Sequence, residues 1–129
     1  MGKFGDMIKN KRLEKRINLR KMAQLLEISP SYLSDLENGK RLPPNGDNDI
    51  YRNLLENISK LLEMTNQETE KLQLYADEEL IGKGYVTKEM SEYLSVNQMA
   101  VTALRKAKNA NADENTWKEI VRILEGSDD

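Results

Sequence analysis

Residues 18–41 read NLRKMAQLLEISPSYLSDLENGKR, and this stretch decides the fold. Its first half predicts a short amphipathic helix that begins after Asn18, whose side chain can cap free backbone N–H groups. Met22, Ala23 and Leu26 recur at helical spacing and so predict one buried face. Ala23 is small enough for a second helix to cross closely, and Ile28 is the apolar residue of the corner that follows.

The second half of the stretch predicts another short helix. Ser29 is a suitable N-cap, and Pro30 occupies the first helical position, where its missing N–H is not needed. Leu33 and Leu36 continue the apolar face. The pair Asn38-Gly39 ends the helix, because glycine readily takes the left-handed conformation that closes a helix C-terminus. The stretch therefore predicts two helices joined at a tight corner.

This combination of caps, apolar positions and corner resembles the lambda-repressor-like, XRE-type helix-turn-helix regulators. The resemblance covers roughly residues 4–76, and ISPSYLSDLENGKRLPP at residues 28–44 is its most specific part. It implies an all-α domain of five helices that binds DNA. Many members place glycine where this chain has Glu27, and we expect Glu27 to take a positive φ at a cost on the order of 1 kcal/mol.

The second helix of such a motif lies in the major groove, and the first crosses the DNA backbone. The resemblance therefore implies base contacts from Pro30, Ser31, Tyr32, Ser34 and Asp35. It implies phosphate contacts from Arg20, Lys21, Ser29, Asn38, Lys40 and Arg41. Asp35 can accept a hydrogen bond from cytosine N4, but pairing with a neighbouring Lys or Arg stays open. Arg12 and Glu37 match the family's pattern of an internal salt bridge between the first helix and the reading helix.

The composition argues against an enzyme. The chain has no cysteine and no histidine, which removes thiolate nucleophiles, the commonest general base and the usual zinc ligands. We therefore predict no catalytic site, no metal site and no cofactor. No apolar run approaches the roughly 18 to 20 residues that span a bilayer, and the N-terminus has no signal-peptide core. The expected location is the cytoplasm, without membrane contact.

Charge is divided unevenly along the chain. Residues 1–42 carry ten Lys and Arg against five acids, whereas residues 43–129 carry ten against seventeen. A basic half joined to an acidic half is expected where only one end meets phosphate. The basic run at residues 9–16 fits DNA contact and a solvated helix face equally well.

Three further helices are predicted around the central pair. They cover residues 3–14, about 50–62, and a segment that opens with the capping-box pattern at residues 65–68 and runs to about Ala76. The inward apolar residues of the first helix are predicted to be Phe4, Met7, Ile8 and Leu13. With the central pair, these helices define a predicted DNA-binding domain of residues 1–76.

Residues 77–129 are predicted to form a small C-terminal helical region. Gly82-Lys83-Gly84 breaks the chain. The predicted helices are one capped by Thr87 that runs to Leu94, one over residues 97–108, and one capped by Asp113 that runs to Glu125. No segment shows the alternation of a strand, so the whole chain is predicted to be all-α.

Two features of this region have two interpretations each. The last helix carries Trp117, Ile120, Val121 and Leu124 on one stripe, which is either a dimerisation surface or an intramolecular core. Residues 87–104 repeat the apolar spacing of residues 19–36 with an offset of 68. That repeat is either a second DNA-binding helix pair or the ordinary spacing of a helical corner.

Together with the resemblance, these residues predict a sequence-specific transcription regulator, more often a repressor in this family. Because one unit offers few strong base contacts, we expect a homodimer on an inverted repeat of double-stranded DNA, with about one helical turn between half-sites. The alternative is an antitoxin-like protein whose residues 77–129 bind a partner protein, with DNA binding serving autoregulation.

Overall fold

The chain folds into helices in the computed structural model, which describes residues 2–48 and 51–126. In chain order these are α1 (Lys3–Glu14), α2 (Leu19–Leu26), α3 (Pro30–Glu37), α4 (Leu54–Leu61), α5 (Asn66–Gly82), α6 (Lys88–Ser95), α7 (Gln98–Asn109) and α8 (Glu114–Leu124). The described residues contain no strand, so the all-α prediction is confirmed for them. None of their helices has the length and apolarity needed to cross a bilayer.

The chain divides into two compact units, residues 1–91 and residues 92–129. In the first unit, α3 packs against α1 and α2, while α5 packs against α1 and α4. The apolar positions predicted for α2 and α3 are buried in one core, made of Phe4, Ile8, Met22, Ala23, Leu26, Tyr32, Leu33, Leu36, Leu54, Ile58, Leu62, Leu72 and Ala76. The five predicted helices therefore meet around a single core.

Leu13 does not join this core, contrary to the prediction. Its side chain is 55% exposed. The inward stripe of α1 runs through Phe4, Ile8 and Arg12, and Leu13 lies about 100° further round the helix.

The fifth helix is longer than predicted. α5 continues past Ala76 to Gly82, because Leu80 is buried and the Glu79 carboxylate accepts a hydrogen bond from the Phe4 backbone N–H at 3.1 Å. That bond caps the start of α1, whose own N-cap residue is glycine and has no capping side chain. Residues beyond Ala76 thus stabilise the first unit, and the functional boundary after residue 76 stays a prediction.

The fourth helix is shorter than predicted. α4 begins at Leu54 rather than near residue 50, and a turn at residues 51–53 precedes it. The predicted start at Ile50 and the cap at Asp49 lie outside the described residues. Asn45 forms a local turn instead, in which its side-chain oxygen accepts from the Asp47 N–H at 2.9 Å.

A glycine sets the distance between α1 and α3. A Cβ built on Gly5 would lie 2.5 Å from the carbonyl oxygen of Glu37 and closer still to that of Leu36. Both are backbone atoms at the end of α3, so they cannot swing aside. Gly5 therefore allows α1 to lie directly against the end of α3.

The caps predicted for the C-terminal region are present. Thr87 Oγ1 accepts from the Met90 N–H at 3.1 Å, and the Asp113 carboxylate accepts from the Thr116 N–H at 2.9 Å. The latter bond lowers the pKa of Asp113. The chain also breaks at the predicted glycines, since α5 ends at Gly82 and Gly84 has a φ of 86°.

The second unit has no core of its own among its described residues. No residue of α7 or α8 is buried. Trp117 and Ile120 are partly exposed, Val121 is half exposed and Leu124 is 79% exposed. Leu124 and Val121 therefore lie outside an intramolecular core, whereas Trp117 and Ile120, 38% and 36% exposed, are mostly covered within the chain, so both interpretations of the stripe stay open.

Candidate nucleic-acid interface

The corner between α2 and α3 is built by the predicted caps. Asn18 Oδ1 accepts from the Lys21 N–H at 2.7 Å, and Ser29 Oγ accepts from the Tyr32 N–H at 3.0 Å. Pro30 is the first residue of α3. Each helix start therefore satisfies one of its free backbone donors with a side chain from the preceding residue, as the sequence predicts.

Glu27 takes the left-handed conformation expected of the corner, with φ 59° and ψ 40°. The two N–H groups that follow α2 bond back to it, from Glu27 to Gln24 O and from Ile28 to Ala23 O. These bonds close the helix and turn the chain sharply towards α3. The non-glycine residue here carries a strain of about 1 kcal/mol.

A buried ion pair fixes the far end of α3. Arg12 Nε lies 2.7 Å from Glu37 Oε2, and Arg12 Nη2 lies 3.0 Å from Oε1, so the contact is bidentate. Arg12 Nη1 also donates to the Ile17 carbonyl at 2.9 Å. Both side chains are buried. The predicted Arg12–Glu37 bridge is present, and it joins α1 to the end of α3.

Most of the residues predicted to contact bases lie on the open side of α3. Pro30 and Ser31 are exposed, and Ser34 and Asp35 are partly exposed. Ser34 Oγ accepts from Asn38 Nδ2 at 3.2 Å, which leaves its own hydroxyl hydrogen free to donate. Asp35 lies 3.9 Å from Arg41 Nε, so the alternative pairing considered for this carboxylate is present as a loose contact.

Tyr32 is a correction to the predicted base-contacting set. Its side chain is only 8% exposed and stacks on Tyr51, with ring centroids 4.6 Å apart. The Arg41 guanidinium lies 5.3 Å from the Tyr32 ring centre. Burial raises the pKa of the Tyr32 hydroxyl. The ring therefore supports the loop after α3 and is not available to a base; its spacing of four residues from Leu36 could have indicated this.

The residues predicted to contact phosphate lie at the ends of the two motif helices. Arg20 and Lys21 are exposed in the first turn of α2, and Lys40 and Arg41 are exposed just after α3. Gly39 has a φ of 74°, and the N–H groups of Lys40 and Arg41 both point back to Asp35 O. The two cations are thus held beside the end of α3, next to Asn38.

The basic run at residues 9–16 is largely engaged within the protein. Lys11 pairs with Glu68, and Lys15 lies 3.3 Å from Glu63. The hydrogen bond between Lys11 and Glu68 raises the pKa of Lys11 and lowers the pKa of Glu68. Since Arg12 is also paired, this run is better explained as a helix face that holds α1 in place.

This geometry is that of a helix-turn-helix, a motif that binds DNA with its second helix. Residues 8–46 match the family model described as Helix-turn-helix. That segment contains α2, α3 and the cations after Gly39, and its match agrees with the resemblance to the lambda-repressor-like, XRE-type helix-turn-helix regulators. The described residues hold no cluster of acidic side chains that could bind a metal ion.

A relative from a phage shares part of this chain. The "ImmF control region 10 kDa protein" of Bacillus phage phi105 is 51% identical over 41 residues, which cover 32% of this chain and 46% of the relative. The chain therefore spans about half the length of the relative that it matches. No solved structure matches the chain.

Proposed function

We propose that this protein is a sequence-specific DNA-binding transcription regulator that reads the major groove with α3. The observation that carries this proposal is that α3 is fixed in the fold on one side and open to solvent on the other. Its buried side is fixed by Leu33, Leu36 and the Arg12–Glu37 ion pair, while its polar side is open and lies next to two cations. A helix held in one orientation can place short side chains against base edges reproducibly.

Base contacts are assigned to Pro30, Ser31, Ser34 and Asp35. The serine hydroxyls can donate or accept and so discriminate weakly, whereas Asp35 can accept from cytosine N4. Arg41, 3.9 Å away, offsets the repulsion between this carboxylate and the phosphates. Asp35 is therefore the main specificity residue in this proposal.

Phosphate contacts are assigned to Arg20, Lys21, Ser29, Asn38, Lys40 and Arg41. These contacts fix the position of the protein on the duplex without reading sequence. Ser29 and Asn38 are already used as a cap and as a donor to Ser34, but Ser29 keeps its hydroxyl hydrogen and Asn38 keeps a second amide hydrogen.

Repression by a homodimer is the regulatory mode that we favour. The phage relative is named for a control region, which supports a regulatory role for this chain. The set of base-contacting side chains is small, and a second copy doubles it on an inverted repeat. A dimer seated over a promoter would then exclude the transcription machinery.

Selection of bound duplexes from random DNA, at a stated salt concentration, tests the proposal. The expected product is an inverted repeat with half-sites about one helical turn apart. Arg41→Ala should weaken binding to specific and random duplexes alike and reduce the salt slope by about 1, while Asp35→Ala should change the preference at one base pair.

Lys71→Ala is the matched control for Arg41→Ala. Lys71 is an exposed cation near Tyr75, on the side of α5 that faces Lys3 and Asp6 of α1. Its removal changes the net charge equally, so DNA affinity should change little. Failure to bind any duplex at low salt would refute the proposed function.

A further inference from the structure

A small pocket opens in the first unit next to the end of α3, and its volume is about 340 Å³. Its walls come from α3, from the loop at residues 41–48, and from the end of α5 with the residues that follow it. Main-chain hydrogen bonds hold these walls. The Lys88 N–H donates to the Asn45 carbonyl at 2.7 Å, and the Tyr85 N–H donates to the Leu80 carbonyl at 2.9 Å. The volume falls within the range of small-molecule sites, which is roughly 300–1,000 Å³.

The pocket is rich in aromatic surface. Three of the five tyrosines in the sequence line it, which are Tyr32, Tyr51 and Tyr85, and we call it the tyrosine pocket. Tyr32 and Tyr51 are stacked, with their rings inclined by 21°, whereas Tyr85 is 53% exposed and contacts no other ring among the described residues. The stacked pair gives a rigid aromatic wall, and Tyr85 keeps a ring that a ligand can cover. Flat apolar rings of this kind suit a planar aromatic ligand.

One cation determines the charge of the tyrosine pocket. Arg41 lines it, and no acid is among the described residues that do so. The Arg41 guanidinium lies 5.3 Å from the Tyr32 ring centre, and its side chain is 60% exposed. Its contact with Asp35, at 3.9 Å, is longer than the about 2.7–2.9 Å of a charge-assisted hydrogen bond. The guanidinium can therefore still bind a carboxylate through two parallel N–H groups.

We propose that the tyrosine pocket binds a small planar aromatic acid, with its ring against Tyr51 and Tyr85 and its carboxylate on Arg41. The ring and the cation select together, because a neutral aromatic compound leaves Arg41 unused and an aliphatic acid leaves the tyrosines unused. Arg41 is also assigned to a DNA phosphate, so the acid and the duplex compete for one guanidinium. The bound acid therefore lowers DNA affinity. The binding site is argued from the pocket alone, whereas its effect on DNA rests on the proposed function.

Calorimetric titration of the full chain, without DNA, tests the site. Naphthylacetate is the probe, since it joins two fused aromatic rings to a single carboxylate. It should bind with one molecule per chain. Naphthylethanol lacks the charge and cyclohexylacetate lacks the aromatic face, so each should bind about 10-fold or more weakly than naphthylacetate.

Two substitutions, each with a matched control, locate the site. Arg41→Ala and Tyr85→Ala should each weaken naphthylacetate binding about 10-fold or more. Both side chains are exposed, so the fold should be kept, which circular dichroism checks. Arg20→Ala removes an exposed cation outside the pocket, and Tyr93→Ala removes an exposed tyrosine of α6. Neither control should change the binding of naphthylacetate.

DNA affinity measured with and without saturating naphthylacetate tests the effect on DNA. The acid should weaken duplex binding by the natural protein and by Arg20→Ala about 5-fold or more. Duplex binding by Arg41→Ala should not respond to the acid, because its contact with phosphate is already lost. By linkage, the duplex should weaken naphthylacetate binding to the natural protein by the same factor.

Four results would overturn the proposal. No binding of naphthylacetate, phenylacetate or indoleacetate at millimolar concentration would mean that the pocket takes no aromatic acid. Equal binding of naphthylethanol would remove Arg41 from the site, and binding kept in both Arg41→Ala and Tyr85→Ala would place the site elsewhere. An acid that binds but leaves DNA affinity unchanged would refute the effect on DNA. A protein that binds the acid but no duplex would refute the proposed function and keep the site, so the two failures are distinguishable.

Discussion

Residues 19–36 and residues 87–104 have the same apolar spacing, but the positions that are buried in the first segment are partly or fully exposed in the second. Leu33 and Leu36 are buried at 0% and 1% exposure, whereas Val101 and Leu104, at the equivalent positions 68 residues later, are 48% and 47% exposed. The spacing is therefore not sufficient to make a reading unit. Two features distinguish the first segment: the left-handed corner at Glu27 and the buried Arg12–Glu37 ion pair, which we call the anchor.

The corner and the anchor are both specific to the first segment. Glu27 is left-handed and turns the chain, while Ser95, its equivalent, is still the last residue of α6. Glu37 is clamped by Arg12, while its equivalent is the exposed Arg105. These differences favour the interpretation of residues 87–104 as an ordinary helical corner and not as a second DNA-binding pair.

Removal of the anchor should have the largest effect. Glu37→Ala strands the buried Arg12 guanidinium and should lower the free energy of unfolding by about 3–5 kcal/mol. Urea denaturation of the full chain measures this. Arg105→Ala, the equivalent change in the second segment, should stay within about 0.5 kcal/mol. Equal losses in the two variants would remove the distinction between the segments.

A change in the spacing of α1 and α3 should come next. Gly5→Ala drives a methyl group into the carbonyls of Leu36 and Glu37, and should cost about 1–3 kcal/mol with a loss of DNA affinity. Gly82 has no neighbour within 4 Å of a built Cβ, so Gly82→Ala should be neutral or stabilise by up to about 1 kcal/mol. Thermal unfolding compares the stabilities of the two variants. A Gly5→Ala variant as stable as the natural protein would contradict the close approach of α1 to the end of α3.

The strain at the corner gives a smaller effect of opposite sign. Glu27→Gly should stabilise the protein by about 1 kcal/mol, because glycine takes a positive φ without strain. Ser95→Gly should instead cost up to about 1 kcal/mol, because that position is helical. If both changes act in the same direction in chemical denaturation, the two corners are alike and the comparison fails.

Tyr32 should show the smallest effect. Tyr32→Phe keeps the stack on Tyr51 and should leave DNA affinity unchanged. Burial raises the pKa of Tyr32 above its ordinary value of 10.0, so the hydroxyl ionises more readily in the unfolded chain. Its stabilising contribution is present below pH 10 and is lost as the pH rises through the folded pKa. The variant should therefore be less sensitive to alkaline pH; a large loss of DNA affinity would restore Tyr32 to the base-contacting set.

The sequence predicted best what is decided locally. The caps at Asn18, Ser29 and Asp113 depend on one residue and the next helical turn, and all three are present. The positive φ of Glu27 follows from the short connection between α2, which ends at Leu26, and α3, which begins at Pro30. Each of these features could be predicted because no distant residue is needed to form it.

Two of the errors concern contacts between distant parts of the chain. Tyr32 is buried because Tyr51 stacks on it, and α5 runs to Gly82 because Leu80 is buried and Glu79 caps the start of α1. Local spacing can indicate that Tyr32 faces the core, but it cannot identify Tyr51 as the residue that covers it or Phe4 as the residue that Glu79 caps. The apolar stripe of α8 shows the same limit, since amphipathic spacing indicates a covered face but not what covers it.

The most direct test compares Ser31 with Met99, its equivalent 68 residues later. Because the chain has no cysteine, Ser31→Cys and Met99→Cys each give one site for a photoreactive label, and irradiation on the selected operator then reports which helix lies in the groove. We predict cross-links to base pairs from position 31 and none from position 99. Cross-links from position 99 with none from position 31 would contradict the assignment of α3 as the reading helix.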